Sequence, residues 1–144
     1  MPPGCSAYTW KGPTSTPNAW APSQWHYILG RGDAVRSLHA TAARYTFCGH
    51  VHEPHLYFAS GVGKVGNFVP TPGVAIPVPA HRQWLATVGS AGQPRDGNTD
   101  AMYSLFDMAQ AQLTFHRVPY DHDTAADKIR RAGLPEGLAL KLIH

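Results

Sequence analysis

The stretch Arg44-Tyr-Thr-Phe-Cys-Gly-His-Val-His-Glu-Pro-His55 decides both the fold class and the candidate site of this chain. Its first five residues favour a short β-strand, and Gly49 ends the run. Residues from about Asp33 to Ala42 precede it and predict a short helix, with Asp33 as the N-cap. A helix, a short apolar strand and a glycine-initiated loop in succession are typical of a mixed α/β domain.

Beyond this stretch the pattern becomes all-β, with glycine or proline between short candidate strands. These are Leu56–Ser60, Val65–Val69, Val74–Val78, Trp84–Val88, Met102–Asp107 and Gln112–Val118. Their regular spacing predicts consecutive antiparallel strands, the last two forming a hairpin around Met108-Ala-Gln-Ala111. Two helices follow: a capping box, Thr124-x-x-Asp127, opens the first, and the second begins at about Pro135.

The composition excludes several classes of protein. Of the 144 residues 43% are apolar, which is too much core material for a disordered chain. No apolar run approaches the ~18 residues of a membrane-spanning helix, and no secretory leader is visible. Two cysteines form no disulfide framework, so a cytoplasmic location is predicted. The net charge is only +3, with one short cluster at Lys128, Arg130 and Arg131, so nucleic-acid binding is not expected.

The loop after the first strand concentrates potential metal ligands, because His50, His52 and His55 lie within six residues of one another. In an extended loop, side chains at i and i+2 point the same way, and neutral imidazole is a common ligand of transition metals. Carboxylates are scarce here, since only Asp33 and Glu53 precede Asp96. Two interpretations remain open at this point: a metal-binding loop, or surface histidines at a loop tip.

The motif Gly49-His-x-His52 after a short apolar strand resembles the last metal-binding motif of calcineurin-like metallophosphoesterases, and Pro54-His-Leu-Tyr57 continues the resemblance. Further segments are similar to a bacterial branch of that family and occur in the same order. They are Val88-Gly-Ser-Ala-Gly-Gln-Pro-Arg-Asp-Gly97, Ala101-Met-Tyr-Ser-Leu-Phe-Asp107, Leu113-Thr-Phe-His-Arg-Val-Pro-Tyr-Asp121 and Ala126-Asp-Lys-Ile-Arg-Arg-Ala-Gly-Leu-Pro135. The resemblance runs from about Trp25 to His144.

This resemblance implies an α/β fold, with residues 24–144 as the C-terminal portion of a two-sheet αββα sandwich of mostly antiparallel strands with two C-terminal helices. It also implies a hydrolase with two divalent metal ions (Mn, Fe or Zn) bridged by a hydroxide that attacks phosphorus. Such a phosphatase or phosphodiesterase acts on an ester or anhydride of a phosphorylated small molecule, nucleotide or phosphoprotein. By resemblance, His50 binds one metal and His52 the other, and no catalytic residue is identifiable.

The earlier ligand motifs of the family, Asp-x-His, Gly-Asp-x-x-Asp and Gly-Asn-His, are absent. Gly32-Asp33 begins like the second, but Arg36 stands where the second Asp belongs. A further ligand histidine would fall at Thr16, and His26 does not replace it. Residues 1–23 are predicted to be irregular and are unlike the family. We therefore expect a truncated chain that binds metal weakly and has little or no activity.

The alternative is a non-catalytic module. Such a module would bind one Zn²⁺ through His50, His52 and His55, or would act as an interaction fragment. Exposed strand edges also predict a homo-oligomer. No membrane partner is expected.

Two glycine-rich stretches carry weaker motifs. The segment Gly89–Gly97 is predicted to be a structural loop, or else to place Gln93 or Arg95 on the substrate side, because arginine pairs well with phosphate. Gly61-Val-Gly-Lys-Val-Gly66 matches a nucleotide-binding pattern, but Asn67-Phe-Val-Pro70 cannot start a helix. The second stretch is therefore predicted to be a hairpin turn.

Overall fold

Two β-sheets, which we name sheet A and sheet B, form the centre of a computed structural model that describes residues 8–10, 27–41, 43–60 and 63–143. The elements in chain order are β1 (Tyr8–Trp10), α1 (Arg31–His39), β2 (Tyr45–Cys48), β3 (Pro54–Ala59), β4 (Val65–Phe68), β5 (Ala75–Pro77), β6 (Trp84–Val88), β7 (Ala101–Asp107), β8 (Gln112–Val118), α2 (His122–Arg131) and α3 (Glu136–Ile143). Sheet A has the order β1-β2-β6-β3-β4, and sheet B has the order β5-β8-β7. The predicted fold class is confirmed: mixed α/β, two mostly antiparallel sheets and two C-terminal helices.

The predicted pairing of consecutive strands is wrong for the middle of sheet A and for β5, which pairs with β8 in sheet B. β6 lies between β2 and β3, parallel to β2 and antiparallel to β3. Trp84, Leu85, Ala86 and Thr87 are all buried. A strand buried on both faces belongs in the centre of a sheet rather than next to its neighbour in sequence. The pairs β3–β4 and β7–β8 do join consecutive strands.

The core lies on both faces of sheet A. Between the two sheets, seven buried residues pack together: Tyr45, Leu56, Val78, Trp84, Ala86, Leu113 and Phe115. On the opposite face, a second cluster joins α1 to the sheet through Ile28, Ala34, Leu38, Tyr57 and Leu85. Alternate residues of β6 therefore serve the two clusters, as the twofold periodicity of a strand requires.

The helix boundaries differ from the predicted ones. α1 begins at Arg31 with Gly30 as its N-cap, so Asp33 is not the cap. Instead, the Asp33 carboxylate lies in the first turn, accepts the Leu29 N–H at 3.0 Å and pairs with Arg36. An acidic group is favourable in the first turn because it faces the positive end of the helix dipole.

The predicted capping box of α2 is also wrong, because the helix starts earlier. Asp121 is the N-cap, and its carboxylate accepts the Thr124 N–H at 2.9 Å. The hydrogen bonds from Thr124 lower the pKa of Asp121 below its ordinary value. Asp127 pairs with Arg130, which also binds Glu136 at the start of α3. The two helices pack on each other through Ala126, Ala139 and Leu142.

The two predicted hairpins are present. β7 and β8 pair over their whole length across residues 108–111. β3 and β4 pair as antiparallel strands, Val65 and Gly66 belong to β4, and no helix follows β4 in the described ranges, so the described part of the glycine-rich stretch lies in a hairpin rather than a phosphate loop. Of residues 1–23, predicted to be irregular, Tyr8–Trp10 form β1 and the rest lies outside the described residues.

In the described ranges, no helix combines the length and the apolar character that crossing a membrane requires.

Candidate functional site

The candidate site lies where two parallel strands end together. β2 and β6 are parallel neighbours, with Cys48 opposite Thr87. The loops that follow them, residues 49–53 and 89–97, therefore leave sheet A at the same edge. Two segments forty residues apart in sequence meet there, and ligand sites of α/β folds commonly form at such carboxyl ends of strands.

The histidine loop has an unusual backbone. His50 has φ 75° and His52 has φ 65°, so both lie in the left-handed region. The loop is therefore not extended, and the expectation that His50 and His52 point the same way by simple i, i+2 alternation is wrong. Non-glycine residues held in this region cost of order 1–3 kcal/mol each, and they are found mostly at functional sites.

Contacts on both sides hold this loop in place. The Thr87 hydroxyl donates to the Glu53 carbonyl oxygen at 2.7 Å, and Thr87 is completely buried. The Tyr27 ring stacks on the His50 imidazole, with centroids 4.2 Å apart and planes inclined by 20°. The strained backbone is thus stabilised by a part-buried hydrogen bond and an aromatic contact.

The two loops are joined through His52. Its Nδ1 lies 2.8 Å from the Gln93 carbonyl oxygen. A carbonyl oxygen only accepts, so Nδ1 carries the proton and the neutral ring keeps its lone pair on Nε2. Histidines that bind metals are commonly oriented by such a second hydrogen bond. Gln93 is itself held by Ser90, whose hydroxyl oxygen accepts the Gln93 N–H at 2.9 Å.

His55 accepts a hydrogen bond through its ring, whereas His52 donates one. Arg31 donates from Nε to Asn67 Oδ1 at 2.6 Å, which turns the Asn67 amide nitrogen toward His55 Nε2, also at 2.6 Å. Arginine cannot accept, so this orientation of the amide is the only consistent one, and His55 Nε2 is an acceptor. Burial lowers the pKa of His55, and Glu53 opposes this effect. The lone pair of Nε2 is thus already used.

The two candidate substrate-side residues, Gln93 and Arg95, face different parts of the site. Gln93 reaches the site through its main-chain carbonyl. Arg95 lines a cavity of about 360 Å³ together with Tyr27, Ile28, Leu29, Val51, Glu53, His55, Tyr57 and Thr87. The Asp96 carboxylate pairs with Arg117 of β8, which fixes the far end of the loop. The loop therefore has a clear structural role, and Arg95 alone of the pair borders an open cavity.

A complete metal site is not assembled from the described residues. In the described ranges, no three His, Cys, Asp or Glu side chains come together as a ligand group. The expected three-histidine set of His50, His52 and His55 therefore does not form. Thr16 and His26 lie outside the described residues.

Four residues important to the site were missed by sequence reasoning. Thr87 gave a weak signal, as a polar residue in an otherwise apolar strand. Ser90, Tyr27 and Asn67 gave none, because each acts through a contact with a residue distant in sequence or through loop geometry.

The substitution Thr87→Val tests whether the hydrogen bond from Thr87 stabilises the histidine loop. Thr87→Val keeps the shape of the side chain but leaves the Glu53 carbonyl without its donor. We expect the free energy of unfolding to fall by about 0.5–1.5 kcal/mol, the net contribution of one hydrogen bond, because this bond is part-buried and Glu53 is an exposed residue. Urea unfolding followed by circular dichroism measures it. Thr87→Ser and Thr87→Ala are the controls, because both lose the buried methyl group and only Thr87→Ser keeps the hydroxyl. Equal losses in these two variants would contradict the assigned role.

The two-sheet α/β fold is similar to that of a metallophosphoesterase of known structure. The crystal structure of a metallophosphoesterase from Sphaerobacter thermophilus superposes with a TM-score of 0.73 at 31% identity, over 83% of this chain and 49% of that one. An uncharacterized protein of Methanocaldococcus jannaschii is 35% identical over 96 residues, which are 67% of this chain and 37% of the relative. No family model matches the chain. This chain therefore spans about half the length of the solved structure, and less of the curated relative.

Proposed function

We propose that this chain is part of a metal-dependent phosphoesterase of the calcineurin-like superfamily, in which His50 and His52 each bind one of two divalent metal ions. The observation that carries the proposal is the hydrogen bond between His52 Nδ1 and the Gln93 carbonyl oxygen. It leaves Nε2 as the coordinating atom and fixes the plane of the ring. The fold shared with a metallophosphoesterase supports the same conclusion.

The donor set fits a part of such a site. Two imidazoles suit Zn²⁺, Mn²⁺ or Fe, but each ion needs four or more ligands, and carboxylates are expected among the others. The two histidines are thus a contribution to a larger ligand set. Metal ions bound there would lower the pKa of a bound water and neutralise charge on the phosphoryl oxygens.

The residues of this chain have positioning roles in the proposal. Gln93 orients His52, Thr87 holds the loop that carries both histidines, and Tyr27 packs on His50. In the proposal Arg95 contacts the substrate, because a guanidinium suits a phosphate oxygen. The cavity that Arg95 borders is lined by Glu53 and His55 of the histidine loop and not by His50 or His52. The substrate is an ester or anhydride of a phosphorylated small molecule, nucleotide or phosphoprotein.

Metal titration of the chain tests the proposal. We expect weak binding of Zn²⁺ and Mn²⁺ by calorimetry, and a rise in the dissociation constant of about tenfold or more in His52→Ala. His81→Ala is the matched control, because His81 is an exposed imidazole on a different loop. Equal affinity in wild type, His50→Ala and His52→Ala would contradict the ligand assignment.

A second test of the proposal measures the rate of phosphodiester hydrolysis by the same variants. With Mn²⁺ added, hydrolysis of bis(4-nitrophenyl) phosphate by this chain is expected to stay near the rate of the metal ion alone, because two imidazoles cannot hold two ions against water. Turnover that is lost in His50→Ala would overturn the expectation of inactivity while supporting the site.

A further inference from the structure

The cavity beside the histidine loop has the size and the lining of a pocket for a small molecule. Its volume of about 360 Å³ falls among those of ligand pockets, which are about 300–1,000 Å³. The metal ligands of the proposed function, His50 and His52, do not line it, so the metal site does not account for this cavity. Its wall combines three aromatic rings with two side chains of opposite charge: Tyr27, His55, Tyr57, Glu53 and Arg95.

The aromatic rings favour a flat ligand. His55 and Tyr57 stack on each other, with centroids 4.8 Å apart and planes inclined by 24°, and Tyr57 is buried. Tyr27 is 42% exposed although its ring packs on His50, so part of its surface remains open to a ligand. Tyrosine and histidine rings are common stacking partners of nucleobases. The wall of the cavity therefore suits a planar heterocycle.

Glu53 supplies a carboxylate close to these rings. Burial is the main cause of the shifted pKa values of His55 and Tyr57, and in both residues the negative charge of Glu53 acts upward on the pKa. The carboxylate therefore lies near both rings. Its backbone is fixed, because the Glu53 carbonyl oxygen accepts the Thr87 hydroxyl. Among the residues that the structure describes, the carboxylate itself has no hydrogen-bond or ion-pair partner.

Arg95 supplies the opposite charge. Its neighbour Asp96 pairs with Arg117, whereas the Arg95 guanidinium has no carboxylate partner in the described part of the chain. Glu53 and Arg95 thus border one cavity without pairing with each other. Both charges are available to a ligand that carries N–H donors at one end and negative charge at the other.

His55 adds a hydrogen-bond donor to the cavity. Its Nε2 accepts from the Asn67 amide, so the proton of the neutral ring is on Nδ1. No group in the described ranges accepts this proton. The cavity therefore offers two acceptor oxygens at Glu53, one donor at His55 and a cation at Arg95.

We propose that this cavity binds a guanine nucleotide, with the base against the aromatic rings, its N1–H and 2-amino group donating to the Glu53 carboxylate, and its phosphate paired with Arg95. Guanine alone among the common bases presents two adjacent N–H donors on one edge. Adenine and cytosine place an acceptor nitrogen beside the amino group, and uracil flanks its single N–H with two carbonyl oxygens. Each of these would set an acceptor against the carboxylate. Guanine O6, next to N1, is an acceptor for the Nδ1–H of His55.

Nucleotide binding in the cavity is separate from metal binding, and only the role of the nucleotide as substrate rests on the proposed function. Val51 lines the cavity and lies between His50 and His52 in the chain. A nucleotide held there is therefore adjacent to the loop that carries the proposed metal ligands. This assignment selects one substrate class, a guanine nucleotide, for the proposed phosphoesterase.

Calorimetric titration of the whole chain with GMP, in EDTA to remove metal ions, tests the site. Wild type is expected to bind GMP about tenfold or more tightly than AMP. Glu53→Gln is expected to weaken GMP binding by about tenfold and to reduce this preference, because the amide replaces one acceptor oxygen with a donor. Asp123→Asn is the matched control, since it removes the same charge from a carboxylate that is 82% exposed on α2.

Guanosine separates recognition of the base from recognition of the phosphate. Arg95→Ala is expected to weaken GMP binding by about tenfold but to leave guanosine binding unchanged, because guanosine has no phosphate. Tyr27→Ala is expected to weaken the binding of both ligands, because stacking on the base is lost.

Three results would overturn the proposal: no binding of GMP by wild type, equal affinities for GMP and AMP, or equal effects of Glu53→Gln and Asp123→Asn. Circular dichroism of each variant confirms that it is folded. These titrations contain no metal, so their outcome is distinct from that of the metal titrations that test the proposed function.

Discussion

Leu56→Ala is expected to lower the free energy of unfolding by about 3 kcal/mol, within the range of about 2–5 kcal/mol for leucine truncations in cores. Leu56 has no exposed surface and packs between the two sheets against residues such as Trp84 and Phe115. The effect combines the lost transfer free energy of the removed atoms with the cavity that remains. Urea unfolding followed by circular dichroism measures it.

Leu140→Ala is the matched control for the core substitution. Leu140 is 40% exposed on α3, so its truncation is expected to change the free energy of unfolding by no more than about 0.5 kcal/mol. Similar small losses in both variants would mean that the two sheets do not pack on each other in this chain. The comparison matters because the chain covers only about half of the solved structure it resembles.

Gly89→Ala is expected to cost about 3 kcal/mol and to weaken metal binding as well. Gly89 has φ +85°, and an added Cβ would overlap the Met102 sulfur. Both the left-handed backbone and the overlap are unfavourable. The residue also begins the turn in which Ser90 holds Gln93, and Gln93 in turn holds His52. A shift of this turn would therefore change the orientation of His52, the proposed metal ligand.

Gly97→Ala separates the steric overlap from the cost of a left-handed backbone. Gly97 has φ +80°, but an added Cβ would meet nothing within 4 Å. It is expected to cost only about 1 kcal/mol, from the backbone alone. In the Met102→Ala background the extra cost of Gly89→Ala should shrink, because the overlapping sulfur is gone. An equal loss in Gly89→Ala and Gly97→Ala would contradict the steric part of the prediction.

Sequence patterns predicted local structure well where the physical cause is local. Trp84–Val88 and Gln112–Val118 coincide with β6 and β8, because β-forming residues between glycine or proline are a local signal. Helix starts were predicted less well: Asp121 and Gly30, not Thr124 and Asp33, are the caps. At α2 the carboxylate of Asp121 accepts the capping hydrogen bond, whereas at α1 Gly30 caps the helix without a side-chain hydrogen bond. Both outcomes depend on the local geometry of the folded chain.

The candidate site was predicted only in part. His50 and His52 were predicted as metal ligands from a dense motif and its resemblance to a family, and this assignment stays a prediction. The left-handed backbone of both residues was not predicted. Nor were the hydrogen bonds of His52 and His55, because their partners Gln93 and Asn67 lie elsewhere in the chain, as does Arg31, which orients Asn67.

By itself, the sequence determined the mixed α/β class, the hairpins and the histidine motif, because each arises from residues close together along the chain. Only the tertiary structure decided that β6 enters sheet A beside β2. That parallel pairing brings the turn containing Ser90 and Gln93 to the histidine loop. Its physical reason is the burial of both faces of β6, between α1 and sheet B, which no local pattern specifies.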